Sequence, residues 1–260
     1  MTASTPVFPT TGTDRRPCYG GLLAAVITEL TSVRSHLVFL AAVILVIPAL
    51  TVAIRLAGDD EPATLRDLTV GTDLSFLIAG FAAAAIVGGA YRHHSIAWMW
   101  MVDNHRSRGT AIRIGVLLSG ALMALVLGLA LAHGALLLMG EHLPVDISDE
   151  DFREFRFEFI KFIIAVLFAA LLAVITRSTV LASLIFAADV FVIESMVYAL
   201  NVQALKDVGW VLPFLSGRIA NGISIPGITA TPLQGGIALV GWVVVLGGLA
   251  WWSDARRAIR

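Results

Sequence analysis

Residues 114–140 read "IGVLLSGALMALVLGLALAHGALLLMG" and contain no Asp, Glu, Lys or Arg. About 20 helical residues cross the roughly 30 Å hydrocarbon core of a bilayer. This stretch is long enough, and apolar enough on every side, to predict a transmembrane helix over about 110–139. Working outward, residues 91–113 read "YRHHSIAWMWMVDNHRSRGTAIR" and residues 76–90 read "FLIAGFAAAAIVGGA". Two lipid-compatible segments therefore flank a short link that carries four arginines, three histidines and two tryptophans.

The same character extends over the whole chain. Of 260 residues, 58% are hydrophobic and 14% charged, and the mean hydropathy is +0.86. A soluble domain carries roughly 25% charged residues. The fold class expected is all-α, a polytopic membrane protein with six transmembrane helices. The spans fall at about 36–57, 73–91, 110–139, 159–176, 179–200 and 234–252. Residues 1–19 read as a flexible Thr- and Pro-rich tail, and 20–260 as one transmembrane domain. The tail lacks the apolar core of a signal peptide. Its Cys18 is the single cysteine of the chain, which makes neither a disulfide framework nor a zinc site. No repeat of fixed period is visible.

Orientation follows from Lys and Arg, which are enriched on the cytosolic side. With both termini inside, the inner segments carry Arg15, Arg16, Arg34, Arg92, Arg106, Arg108, Arg113, Arg177, Arg256, Arg257 and Arg260. The remaining seven basic residues fall outside. The basic link at 91–113 is then cytosolic.

Three polar segments have a pattern of their own. In "YGGLLAAVITELTSVRS", residues 19–35, the apolar residues Leu22, Leu23, Val26, Ile27, Leu30 and Val33 recur at helical spacing around Glu29 and Arg34. This fits an amphipathic surface helix or an extension of the first span. Phe152, Phe155, Phe159 and Phe162 share one helical face and predict a short interfacial helix leading into the fourth span. The segment 201–232 holds Pro213, Pro226, Pro232 and several glycines, which argue against a long helix.

Some chemistry is missing from the sequence. A phosphate-binding loop needs Lys and Ser or Thr after a Gly-rich turn. The only lysines are Lys161 and Lys206, and neither follows a glycine. No HExxH or GxSxG occurs, and the adjacent His93 and His94 point about 100° apart on a helix. No catalytic and no metal-binding residues are therefore expected. Within the spans, Asp189 and Glu194 stand out, because a buried carboxylate in a membrane is costly and marks a functional candidate. As an α-helical pair they lie about 140° apart.

The link begins A-Y-R-H-H-S-I at 90–96, and Asn104, His105 and Arg106 follow before the third span. This resembles the E-Y-R-x-G-T-I and P-x-R elements of ABC-2 type permeases, the membrane subunits of one branch of ATP-binding cassette transporters. Ala90, His94, Ser95 and Asn104 depart from that pattern. Arg113 stands where the family has a Lys. "TELTSVRSH" at 28–36, "WVLPFLSGRIANGI" at 210–223 and "DARRAI" at 254–259 resemble further family segments in the same order.

The resemblance implies a permease subunit in the cell membrane, with both termini cytosolic, that pairs with a second copy of itself. It implies docking of a separate cytosolic ABC ATPase, which would bind ATP and Mg; this chain would hold no cofactor and bind no nucleic acid. The implied coupling residues are Glu29, Arg92, His93, Trp98, Asp103, Asn104 and Arg106. The expected function is export of a small molecule, peptide or lipid-like substrate by alternating access. Asp189 and Glu194 are the pathway candidates. The alternative is an ion-coupled secondary transporter that uses Asp189.

Overall fold

A computed structural model describes residues 19–57, 63–92, 106–143, 147–199 and 203–256. Among them the secondary structure is helical, without strands. In chain order the helices are α1 (Tyr19–Ser32), α2 (Arg34–Leu56), α3 (Leu65–Thr69), α4 (Thr72–Arg92), α5 (Arg106–Leu138), α6 (Asp149–Thr176) and α7 (Thr179–Ala188). A π turn, Asp189–Ile193, continues α7 into α8 (Glu194–Ala199). The chain ends in α9 (Gln203–Gly209), α10 (Pro213–Ala220) and α11 (Pro232–Arg256). Six of these segments are long and apolar enough to cross a membrane: α2, α3 with α4, α5, α6, α7 with its continuation, and α11. The expected all-α architecture, with six helices long and apolar enough to span a membrane, is the one observed.

Burial divides the spans into two kinds. About 67% of the apolar window is buried in α4 and in α6, against 17% to 28% in the other four. The central pair is therefore α4 and α6, which pack most extensively on each other. In lipid, helices gain little from hiding apolar surface from one another, so close packing of small residues matters more. α4 supplies Ala79, Ala83 and Ala84, and α6 supplies Ala165, Ala169 and Ala173, all buried. α7 approaches α4 just as tightly: a Cβ on Gly88 would lie 2.6 Å from the Thr179 backbone nitrogen at the start of α7. Gly80 faces the ring of Phe186 in the same way. The outward faces of α2, α5 and α11 keep Val38, Met123 and Val244 about two-thirds exposed, as a lipid-facing surface requires.

One helix end decides between alternatives the sequence left open, and another differs from its reading. Val33 has extended backbone (φ −90°, ψ 112°), so α1 is a separate helix and not an extension of α2. Leu22 and Val26 pack inward, whereas Leu23 and Ile27 stay exposed. The short helix expected before the fourth span is instead the start of α6, which runs unbroken from Asp149. Its Ser148 cap accepts a hydrogen bond from the Asp151 amide at 3.1 Å. Asp149, Glu150 and Asp151 in the first turn favour the positive end of the helix. No Gly or Pro follows to interrupt it before the apolar run. Of its phenylalanines, Phe152 is exposed and Phe162 fully buried, so the four rings grade from surface to core.

The segment after α8 is broken as its prolines suggest. Pro213 opens α10 at the position where a missing N–H costs nothing. α10 then packs against α6 and α11, with Pro213, Phe214, Leu215, Ser216, Gly217 and Ile219 buried.

Candidate functional site: a polar knot and a charged cavity

Polar side chains collect at the two ends of α4. At its C-terminal end, where α5 starts and α11 finishes, they form a closed knot. The Tyr91 hydroxyl donates to Asp254 Oδ1 at 2.7 Å, and Thr110 Oγ1 donates to Asp254 Oδ2 at 2.8 Å. Asp254 is 1% exposed. Arg177, in the turn between α6 and α7, stacks its guanidinium over the Tyr91 ring at 5.4 Å. It also donates to the Ser253 carbonyl at 3.1 Å. Arg177 has a left-handed backbone (φ 52°), uncommon for a residue with a Cβ, and these two contacts hold it there. One turn further into α5, Arg113 forms an ion pair with Glu29 of α1 at 2.5 Å.

Glu29 is thus a partner of a buried arginine, its side chain 22% exposed. Arg92 is the exposed last residue of α4, and Arg106 the first of α5. His93, Trp98, Asp103 and Asn104 lie outside the described residues. These contacts therefore tie both flanks of the 93–105 link to α11, and the α5 flank to α1. Tyr91, Thr110 and Asp254 carried no signal in sequence spacing, because their contacts span 144 and 163 positions. The one hint was an acid, Asp254, placed two residues before the Arg256–Arg257 pair.

At the opposite end of α4 lies a cavity of about 750 Å³, bounded by α3, α4, α6, the π turn, α8 and α10. Lys161, only 7% exposed, sits in its wall. Its Nζ contacts Asp73 at 2.5 Å and Glu158 at 2.6 Å, and lies 5.0 Å from the Phe76 ring centre. Thr72 donates to the same Glu158. Arg218 pairs with Glu154 at 3.0 Å and lies over Phe157. The sequence reading placed Lys161 outside without a role. The missed signal is its position inside the apolar run "FIKFIIAV", one of two lysines in the chain.

Glu194 lines the floor of this region, and Asp189 lies buried one π turn before it, which corrects the 140° separation expected for a regular helix. The Glu194 amide donates to the Asp189 carbonyl, the i to i+5 bond of a π turn. That bond stacks the two residues one turn apart. Both are buried, at 5% and 6% exposure, while Phe191, Val192 and Ile193 between them face outward. Glu194 Oε1 accepts from the Phe214 amide at 2.8 Å, at the start of α10. Asp189 Oδ2 is buried with no hydrogen-bond partner among the described residues. Turns of this kind recur at functional sites.

Compared with known families, curated proteins and solved structures, the chain matches none of them.

Proposed function

We propose that this chain is the transmembrane permease subunit of an ABC-2-like ATP-binding cassette transporter, an exporter driven by a separate cytosolic ATPase. The observation that carries the reading is the knot at the C-terminal end of α4. It joins both flanks of the 93–105 link to α11 through Asp254, and the α5 flank to α1 through Arg113 and Glu29. A force applied at the link would reach four helices through short, buried polar bonds. That is the mechanical requirement for a membrane chain moved by an external motor. The basic and aromatic composition of the link suits a cytosolic, interfacial docking surface. In this reading α1 is the amphipathic surface helix beside that surface, two copies of the chain pair, and both termini are cytosolic. The ATPase supplies the ATP and Mg sites.

Arg106→Glu tests the reading. It reverses a charge on the docking side and leaves the spans untouched. Membrane insertion should remain at the wild-type level while ATP hydrolysis is uncoupled from transport. Transport unchanged by the substitution would remove the link from the mechanism.

A second reading has its own observation. Asp189, buried in a span with one carboxylate oxygen unpartnered, is the kind of group an ion-coupled transporter protonates or pairs with a cation. It predicts transport driven by an ion gradient in vesicles without ATP.

A further inference from the structure

The cavity at the N-terminal end of α4 is unevenly charged. Six carboxylates line it: Asp73, Glu150, Asp151, Glu154, Glu158 and Glu194. Arg66, Lys161 and Arg218 are the bases in its wall. Lys161 is held by two of those acids and Arg218 by one, so the acids outnumber the charge set against them. The walls are also aromatic, with Phe76, Phe155, Phe157 and Phe214. Two of these rings already receive cations of the protein itself. Lys161 lies 5.0 Å from Phe76 and 5.9 Å from Phe157, and Arg218 lies 5.7 Å from Phe157.

A separate observation comes from the floor. Glu194 lines the cavity, and Asp189, stacked on it across the π turn, keeps one buried oxygen without a partner among the described residues. Leaving a buried acceptor unpaired is expensive unless something else compensates it. The acids are spread over the wall. Among the described residues no three of them converge closely enough to hold a metal ion. A distributed set of carboxylates with ring faces between them matches an extended ligand better than a point charge. Its volume of about 750 Å³ lies within the roughly 300–1,000 Å³ of small-molecule sites.

We propose that this cavity binds an organic cation, an amine-, guanidine- or onium-bearing molecule with an apolar body, whose charge is met by Glu194 at the floor, with Asp189 buried behind it across the π turn, and whose body lies against Phe76, Phe157 and Phe214. Calling that molecule the transported substrate rests on the transport reading above; the binding itself does not.

The test uses two ions of the same shape and opposite charge, tetraphenylphosphonium and tetraphenylborate. Each is titrated by equilibrium dialysis against the full chain in lipid nanodiscs, with protein-free nanodiscs subtracted. The expected result is saturable binding of the phosphonium alone. Glu194→Gln and Asp189→Asn should each weaken it by about tenfold or more, because both act on a buried charge. Glu154→Gln, at a half-exposed position that cannot compromise the core, should weaken it by a smaller factor. Saturable binding of both ions alike, binding of neither, or phosphonium binding untouched by all three substitutions would overturn the proposal. None of these outcomes depends on an ATPase, so failure here leaves the permease reading standing, and failure of that reading leaves the cavity's ligand unchanged.

Discussion

The two ends of α4 use similar residues to opposite effect. At the C-terminal end the two buried charges are met from neighbouring helices: Arg113 pairs with Glu29, and Asp254 accepts from Tyr91 and Thr110. Arg113 and Asp254 are both buried. At the N-terminal end the acids exceed the bases, Asp73 is 79% exposed although it pairs with Lys161, and a cavity opens between them. A closed polar cluster in a membrane protein holds helices together; an open one with surplus charge is suited to something that arrives from outside. One end reads as a transmission joint and the other as a receptor, with the tightly packed α4–α6 pair between them.

The contrast can be broken most severely at the joint. Arg113→Ala leaves Glu29 without its cation and opens a hole beside α1. Breaking a buried pair costs about 3–5 kcal/mol, and the unfolding midpoint in detergent should fall accordingly. An unchanged midpoint would show that the pair holds nothing together. Asp254→Ala comes next. It leaves the buried hydroxyls of Tyr91 and Thr110 without their acceptor, at about 1–3 kcal/mol, and frees α11 from α4. Limited proteolysis near the C-terminal end of α11 should quicken; an unaltered cleavage rate would deny it the role of a tie. At the receptor end the sign reverses. Asp189→Asn removes a buried charge, one oxygen of which has no partner among the described residues, so the midpoint should hold or rise while cation binding weakens about tenfold or more. A drop in stability with binding retained would make Asp189 a packing residue and dissolve the contrast.

Much of the architecture was legible because lipid permits few alternatives. A run as apolar as 114–140 has one stable form in a bilayer, and the six spans follow from length and hydropathy alone. The break at Val33 was left open by the sequence, since an amphipathic pattern continues through it; the inward packing of Val26 and the pairing of Glu29 decide it. The unbroken start of α6 was misread because its polar face looked like a separate surface element. The site was legible only in part. Asp189 and Glu194 were visible as costly charges, yet their alignment depends on an i to i+5 bond that no propensity encodes. Glu158 and Lys161 were hidden by their place at a span boundary, where charge is ordinary. Tyr91, Thr110 and Asp254 are brought together only by the packing of three distant helices.

The central claim is that this chain moves under the action of a separate ATPase. The direct measurement is to tag the full chain, purify it from its own membranes in mild detergent, and assay the product for a nucleotide-binding partner and for ATP hydrolysis. The account predicts a stoichiometric ATPase chain and hydrolysis that Arg106→Glu uncouples from transport. A permease that purifies alone, is stable without a partner and transports on an ion gradient without ATP would contradict it, and would make Asp189 the centre of the mechanism.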